Sequence, residues 1–277
     1  MRNSRPWIAS DELWSLIEPL LPVPAPKLVA GRPRVPDRQA LCGILFVLHT
    51  GIQWEYLPQE LGFGSGMTCR RRLATWNDAR VWDQLHLVLL KLHLVLLKKL
   101  RSTKQLDRSR AVIDSSHVRA ARSGPKGGPS PVDRARPGSK HHVLVDGQGI
   151  PLAVSLTSGN RNDITQLMPL LAKIPSVAGL VGRPRRRPDI LLADRGYDHD
   201  KYRRLVWAQG IKPVIARRGF PHGSGLGVHR WVVERTIAWL HGFRRLRVRR
   251  ERRDDIHEAF LGLATCLITH RHVQRLC

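Results

Sequence analysis

Two aspartates stand at matching places in two short apolar runs. Asp114 follows Val112 and Ile113, and Asp194 follows Leu191, Leu192 and Ala193. Runs of this kind, closed by polar residues, read as buried strands. In a mixed sheet with helices on its faces, neighbouring strand ends converge at a crevice. A carboxylate there, with no basic partner beside it on its own strand, is either a metal ligand or a capping acid. Gly196, two residues past Asp194, suits a turn-former. Two acids at corresponding strand positions suit metal. A third acid, Glu234, lies in "HRWVVERTIAWLHGF", where Val232, Trp239, Leu240 and Phe243 make the packing face of a helix. Glu234 falls on a separate stripe between Arg230 and His241, and an exposed Arg230–Glu234 pair would account for it equally well. Asp163 and Asp198 read as helix N-caps. Lys140 reads as a phosphate contact near Asp114, and Arg230 as a phosphate ligand or a brace for Glu234. His117 lies one side-chain alternation off the Asp114 face.

The elements that must position these residues change character along the chain. The first hundred residues are helical in pattern. Ser10 caps a helix over "DELWSLIEPLL", and "DRQALCGILFVLHT" stops at Gly51. A short helix around Leu57 to Leu61, the turn "GFGSG" and the basic helix "MTCRRRLATWNDARVW" form a helix-turn-helix-like pattern with Trp76 on the second helix. That pattern makes Arg70, Arg71 and Arg72 DNA contacts, unless they are a solvated face. Next, "LHLVLLK" occurs twice in succession, over Leu85–Lys91 and Leu92–Lys98. Seven residues nearly close two helical turns, so the duplication predicts a longer helix with its apolar face in phase.

From Arg110 strands appear: "AVIDSSHV", a basic loop from Arg119 to Lys140, and a hairpin "HHVLVDGQGIPLAVSLTSG" turning at Asp146-Gly147. Helix and strand then alternate to a final helix, "DDIHEAFLGLATCLITHRH". Three consecutive strands followed by alternating units predict a mixed α/β sheet with helices on its faces. The division expected is a helical DNA-binding domain over 1–108 and a catalytic domain over 109–277.

The chain has 277 residues and a formal net charge of +25, with 47 Lys and Arg against 22 Asp and Glu. Such a field implies a polyanionic partner, nucleic acid first and an anionic membrane surface second, with no basic amphipathic helix to support the latter. The run "RRLRVRRERR" from Arg244 reads as a DNA-tracking surface, Arg244 and Arg245 included, or as a solvated charge run. Four cysteines without metal-type spacing read as reduced thiols. The N-terminus has no apolar signal stretch and the most apolar segment is too short to span a bilayer, which points to a cytoplasmic protein.

Four segments in order, "VIDSSHVRA", "GSKHHVLVDGQGIPLAVSLTSGNRND", "LLADRGYD" and "RWVVERTIAWLHGFRRLRVRRERR", resemble the core of the DDE transposases of bacterial insertion sequences, most closely the insertion-sequence-five family. The N-terminal third resembles that family's DNA-binding region. The resemblance implies a ribonuclease-H-like mixed-sheet core preceded by an all-α helix-turn-helix-like domain. It makes Asp114, Asp194 and Glu234 the catalytic and metal-binding triad. Arg230 matches the family's third block, whereas Gly227 stands where it has tyrosine and His241 where it has lysine. Two Mg²⁺ ions, with Mn²⁺ as a substitute, would serve water-driven cleavage at element ends and then attack of the freed 3′-OH on target DNA. The implied partners are double-stranded element ends and target DNA, the implied assembly a homodimer or larger on DNA, and the implied place the bacterial nucleoid. A catalytically inactive DNA-binding descendant is the alternative.

Overall fold

The computed structural model describes residues 5–24, 33–99, 109–176, 187–219 and 227–275. Four helices precede the sheet: α1 (Asp11–Ile17), α2 (Asp37–Thr50), α3 (Gly66–Asp78) and α4 (Val81–Lys99). The Ser10 hydroxyl caps α1 by accepting the Leu13 N–H at 3.2 Å, and Ser65 caps α3 by accepting the Thr68 N–H at 3.2 Å. A Cβ at Gly66 would lie 1.7 Å from the Trp54 carbonyl oxygen, so only glycine lets α3 start against that backbone. The short helix expected around Leu57–Leu61 is instead two 3-10 turns, Trp54–Tyr56 and Gln59–Leu61. Pro58 between them supplies no N–H to continue a ladder. Trp76 is 1% exposed, a core residue and not a surface aromatic. Helix α4 runs unbroken through both heptads, with Leu85, His86, Leu89, Leu90 and His93 buried on one side. The duplication therefore lengthens the helix in phase.

The main strands are β1 (Arg110–Ala120), β3 (Pro137–Asp146), β4 (Pro151–Ser158), β5 (Ile190–Ala193) and β6 (Lys212–Ile215). They lie in the order β4-β3-β1-β5-β6. The first three in the chain pair antiparallel, and β5 and β6 join parallel on the other side of β1. An antiparallel meander of three, extended by two parallel strands beside the first, is the ribonuclease-H-like order. Two short strands that the sequence pattern does not announce are β2 (Gly128–Pro129), on β3, and β7 (Val248–Arg249), on β1. Both fall where β1 and β3 outrun the expected boundaries. The pairs Val118↔Ser139 and Arg119↔Gly138 take up part of the anticipated loop from Arg119 to Lys140.

Alternation along the strands divides the core. Val112, Val143, Val145 and Leu192 pack into one cluster with α1–α4, α7 (Gly227–Gly242) and α9 (Asp254–Gln274). Ala111, Ile113, Leu144, Leu191 and Ala193 face the other way, towards α5 (Leu167–Lys173) and α6 (Asp200–Ala208). A four-residue helix, α8 (Arg244–Arg247), joins α7 to β7. The boundary anticipated at 108/109 borders residues outside the described set.

Candidate active site

The register of β1 against β5 places the two aspartates. Val112 pairs with Leu192, so Asp114 and Asp194 each stand two residues past the last paired position, side by side at the strand ends. Both share the face of Val112 and Leu192, the face that α7 covers. Asp194 also caps the 3-10 turn Arg195–Tyr197, Oδ1 accepting the Gly196 N–H at 2.9 Å. A Cβ at residue 196 would sit 3.0 Å from that oxygen, which explains glycine there. The turn-forming reading of Asp194 holds, and it leaves the carboxylate beside Asp114.

Helix α7 is tied across β1 at two points. Arg230 Nη2 meets Asp114 Oδ2 at 3.2 Å, and the Ser116 hydroxyl and His241 Nε2 share a hydrogen bond of 3.3 Å. Glu234 lies one turn beyond Arg230 on the exposed edge of the helix. The Arg230 ion pair is thus with Asp114, not with Glu234. Burial pushes the Asp114 carboxyl up, to about 6, and the neighbouring charge of Asp194 adds to the rise; the Ser115 N–H and Arg230 oppose it. Among the described residues no three His, Cys, Asp or Glu side chains already converge as a metal cage.

A second polar group lies on the opposite face of the same strand ends. Lys140 is 5% exposed, and its Nζ donates to Asp163 Oδ1 and to the Arg161 carbonyl, both at 2.8 Å. The expected phosphate contact is therefore an internal tie, because β3 turns its even-numbered side chains inward over Asp163. Asn162, not Asp163, caps the following turn, accepting the Ile164 N–H at 3.3 Å. Asp198 likewise is no cap; it accepts Arg203 Nε and the Arg218 N–H, each at 2.8 Å. His117 is in register with Lys140, off the Asp114 face as expected, with Nδ1 and the Ser130 hydroxyl 3.2 Å apart. Tyr197 is buried beside this group.

Comparison with known proteins decides what this arrangement is for. Residues 105–269 match the family described as "Transposase DDE domain", and residues 9–86 match "Putative transposase of IS4/5 family". The chain belongs to the DDE transposases. The longer match spans Asp114, Asp194 and Glu234. A Burkholderia cepacia protein named "Putative transposase for insertion sequence element IS402" is 58% identical over 169 residues, 61% of this chain and 78% of that protein. A second, "Insertion element IS402 uncharacterized 16.2 kDa protein" from the same organism, is 52% identical over 126 residues, covering 45% and 81%. Among solved structures, the Mos1 strand transfer complex aligns over 91% of this chain and 79% of that one, at 14% identity and a TM-score of 0.35, a likeness too loose to carry residue roles. The chain is accordingly a DNA transposase of the divalent-metal-dependent DDE type, and nothing in these similarities favours an inactive descendant.

The basic residues of this transposase divide into surface and scaffold. Arg71 is exposed on α3 and Arg70 half-buried beside it, whereas Arg72 is paired with Asp37 at 3.2 Å. In the run after α7, Arg244 and Arg247 are exposed, but Arg245 is 3% exposed and spent internally. Its guanidinium binds Glu251, the Ile52 carbonyl at 2.5 Å and the Gly51 carbonyl at 3.3 Å. A DNA contact at Arg245 is thereby corrected to a clamp between the helical region and the core. Glu251 continues to His257 (3.7 Å), and His257 Nε2 to His141 Nε2 (2.8 Å). No local sequence signal foretold this buried chain, since His141 and His257 are 116 positions apart. Among the described residues no helix is long and apolar enough to cross a membrane.

Proposed function

We propose that Asp114, Asp194 and Glu234 are the catalytic triad of this transposase and the ligands of two Mg²⁺ ions, with Mn²⁺ able to replace them. The reading is carried by the contact of Arg230 with Asp114, which lays the Glu234 helix over the two strand acids. The donor set fits a hard cation: carboxylate oxygens in register, one of them buried enough to resist ionisation until a positive charge arrives. Such ions, when bound, lower the pKa of the attacking water and offset charge on the leaving 3′ oxygen. Asp114 and Asp194 fix their ligand oxygens from the rigid ends of adjacent strands. Glu234 approaches from α7, whose ties through Arg230 and His241 set its height above the sheet. Arg230 neutralises Asp114 in the free protein and is placed to turn to a phosphate once a metal takes over that charge. Water then cuts the strand at the element end, and the 3′-OH released attacks target DNA in the same site.

Arg70 and Arg71, on the outer side of α3, are proposed to read the element ends, with residues 1–108 serving recognition and residues 109–277 chemistry. Exposed Arg244 and Arg247 hold the backbone near the triad. Two ends must be joined, so the working form is a dimer or larger on DNA, in the cytoplasm at the nucleoid. The test is a duplex bearing the inverted repeat that flanks the gene. Cleavage that requires Mg²⁺ or Mn²⁺, stops with EDTA and leaves a free 3′-OH supports the reading; metal-independent cleavage, or a covalent protein–DNA product, contradicts it.

A further inference from the structure

Tyr197 carries a buried hydroxyl that the protein itself does not use. The residue is 1% exposed and packs in the cluster of Ile164, Leu167 and Val206, where phenylalanine would serve as well. Among the described residues its hydroxyl has no hydrogen-bond partner. Leaving such a group unsatisfied costs about 1–3 kcal/mol. The turn that holds it starts from Asp194 itself: the Tyr197 N–H bonds the Asp194 carbonyl at 3.2 Å. Its position is further marked by charge. Burial first, and then Asp163, Asp114 and Asp194 together, push the phenol well above its ordinary range. A donor-acceptor hydroxyl is therefore aimed among three carboxylates and bonded to none of them.

Resting on the triad reading above, we propose that Tyr197 is a positioning residue for the metal. Its hydroxyl hydrogen-bonds the water shell of the divalent ion held by Asp114 and Asp194, and so orients that shell towards the phosphodiester. The residue types suit the role. A hydroxyl rotor can accept from a water polarised by a cation, whereas the surrounding ionised carboxylates cannot be donors to it. The Lys140–Asp163 pair neutralises the acid nearest the phenol on the other face, which leaves Asp114 and Asp194 as the pair that needs a cation. Partners beyond the ligands themselves are commonly worth ten- to a hundredfold in metal affinity.

Tyr197→Phe tests this with the full chain and two readouts. In EDTA, urea unfolding of the variant is expected to match or exceed the parent, because no hydrogen bond is lost. In the absence of DNA, Mn²⁺ titration followed by the paramagnetic resonance of the free ion is expected to show affinity roughly tenfold weaker. Unchanged Mn²⁺ affinity overturns the proposal. So does a loss of metal-free stability, which means the hydroxyl serves the fold. Asp114→Asn run alongside separates the two levels. If it binds Mn²⁺ like the parent, the triad reading fails; if it loses Mn²⁺ while Tyr197→Phe keeps it, only the role of Tyr197 fails.

Discussion

Replacing Asp114 with asparagine is expected to stabilise the metal-free transposase above neutral pH. In the folded chain burial raises the Asp114 carboxyl from 3.8 to about 6. An acid whose folded pKa exceeds its unfolded one makes the native state less stable once it ionises. Below about 3.8 the group is protonated in both states and adds nothing. As pH climbs through 6 the penalty grows to its full size and stays there. The gap between the two values corresponds to roughly 3 kcal/mol at 1.36 kcal/mol per pKa unit. With 19% of the side chain still in contact with solvent, a range of about 1–3 kcal/mol is the better expectation. The assay is urea unfolding in EDTA at pH 4 and pH 8. Any fixed packing cost of asparagine cancels between the two, so the readout is the change in the variant-minus-parent difference. That difference should move in favour of the variant by the stated amount, about 2–8 °C in Tm for a core of this size. Parallel pH profiles for parent and variant would refute the argument that Asp114 is held ionised at a cost which only a cation offsets.

Other parts of the molecule yield three further expected outcomes. Burial pushes Glu251 up, but His257 and Arg245 outweigh it and hold the carboxyl down at about 2, so its contribution is full above about 4.5 and fades as pH falls towards 2. Glu251→Gln leaves Arg245 buried without its counter-charge, and unfolding at pH 7 should show a loss of about 3–5 kcal/mol; a loss under 1 would mean the clamp is already solvated. Arg70→Ala with Arg71→Ala should weaken binding to element ends in gel-shift titrations. Affinity for scrambled duplex stays constant if they reach bases and falls in step if they touch only phosphate, and no loss on either would remove α3 as the reading helix. Deleting Leu92–Lys98 shortens α4 by roughly 10 Å and turns the chain beyond it by only about 20°, so thermal unfolding should stay cooperative. A four-residue deletion turns it by about 40° and should be worse; equal melting of the two would sink the in-phase account of the duplication.

Much of this was legible where the determining interactions are local. The strand aliphatics before Asp114 and Asp194 and the Asp146 hairpin come from period and turn chemistry within a few residues, and the structure keeps them. The unbroken α4 is legible for the same reason. What escaped depends on register between distant segments. Lys140 looked like a surface cation until the pairing of β1 with β3 turned it over Asp163. Arg245 sits in a run of like charges, and only the approach of Gly51 and Ile52, more than 190 positions away, buries it. The Glu251–His257–His141 chain joins three elements that no sequence period connects. Tyr197 was in plain view three residues past Asp194. Its missing partner could be seen only with the whole site assembled.

The claim at the centre of this account is that cleavage rests on three acids and binding does not. Asp114→Asn, Asp194→Asn and Glu234→Gln should each be measured on one labelled element-end duplex, for affinity by gel shift and for single-turnover strand cleavage in Mg²⁺. All three should bind within a fewfold of the parent and lose cleavage by at least about a hundredfold, the scale of a transition-state electrostatic contact removed. A variant that cuts at near-parental rate takes its residue out of the site, and near-parental cleavage by Asp114→Asn or Asp194→Asn contradicts the metal-dependent mechanism drawn from the strand register.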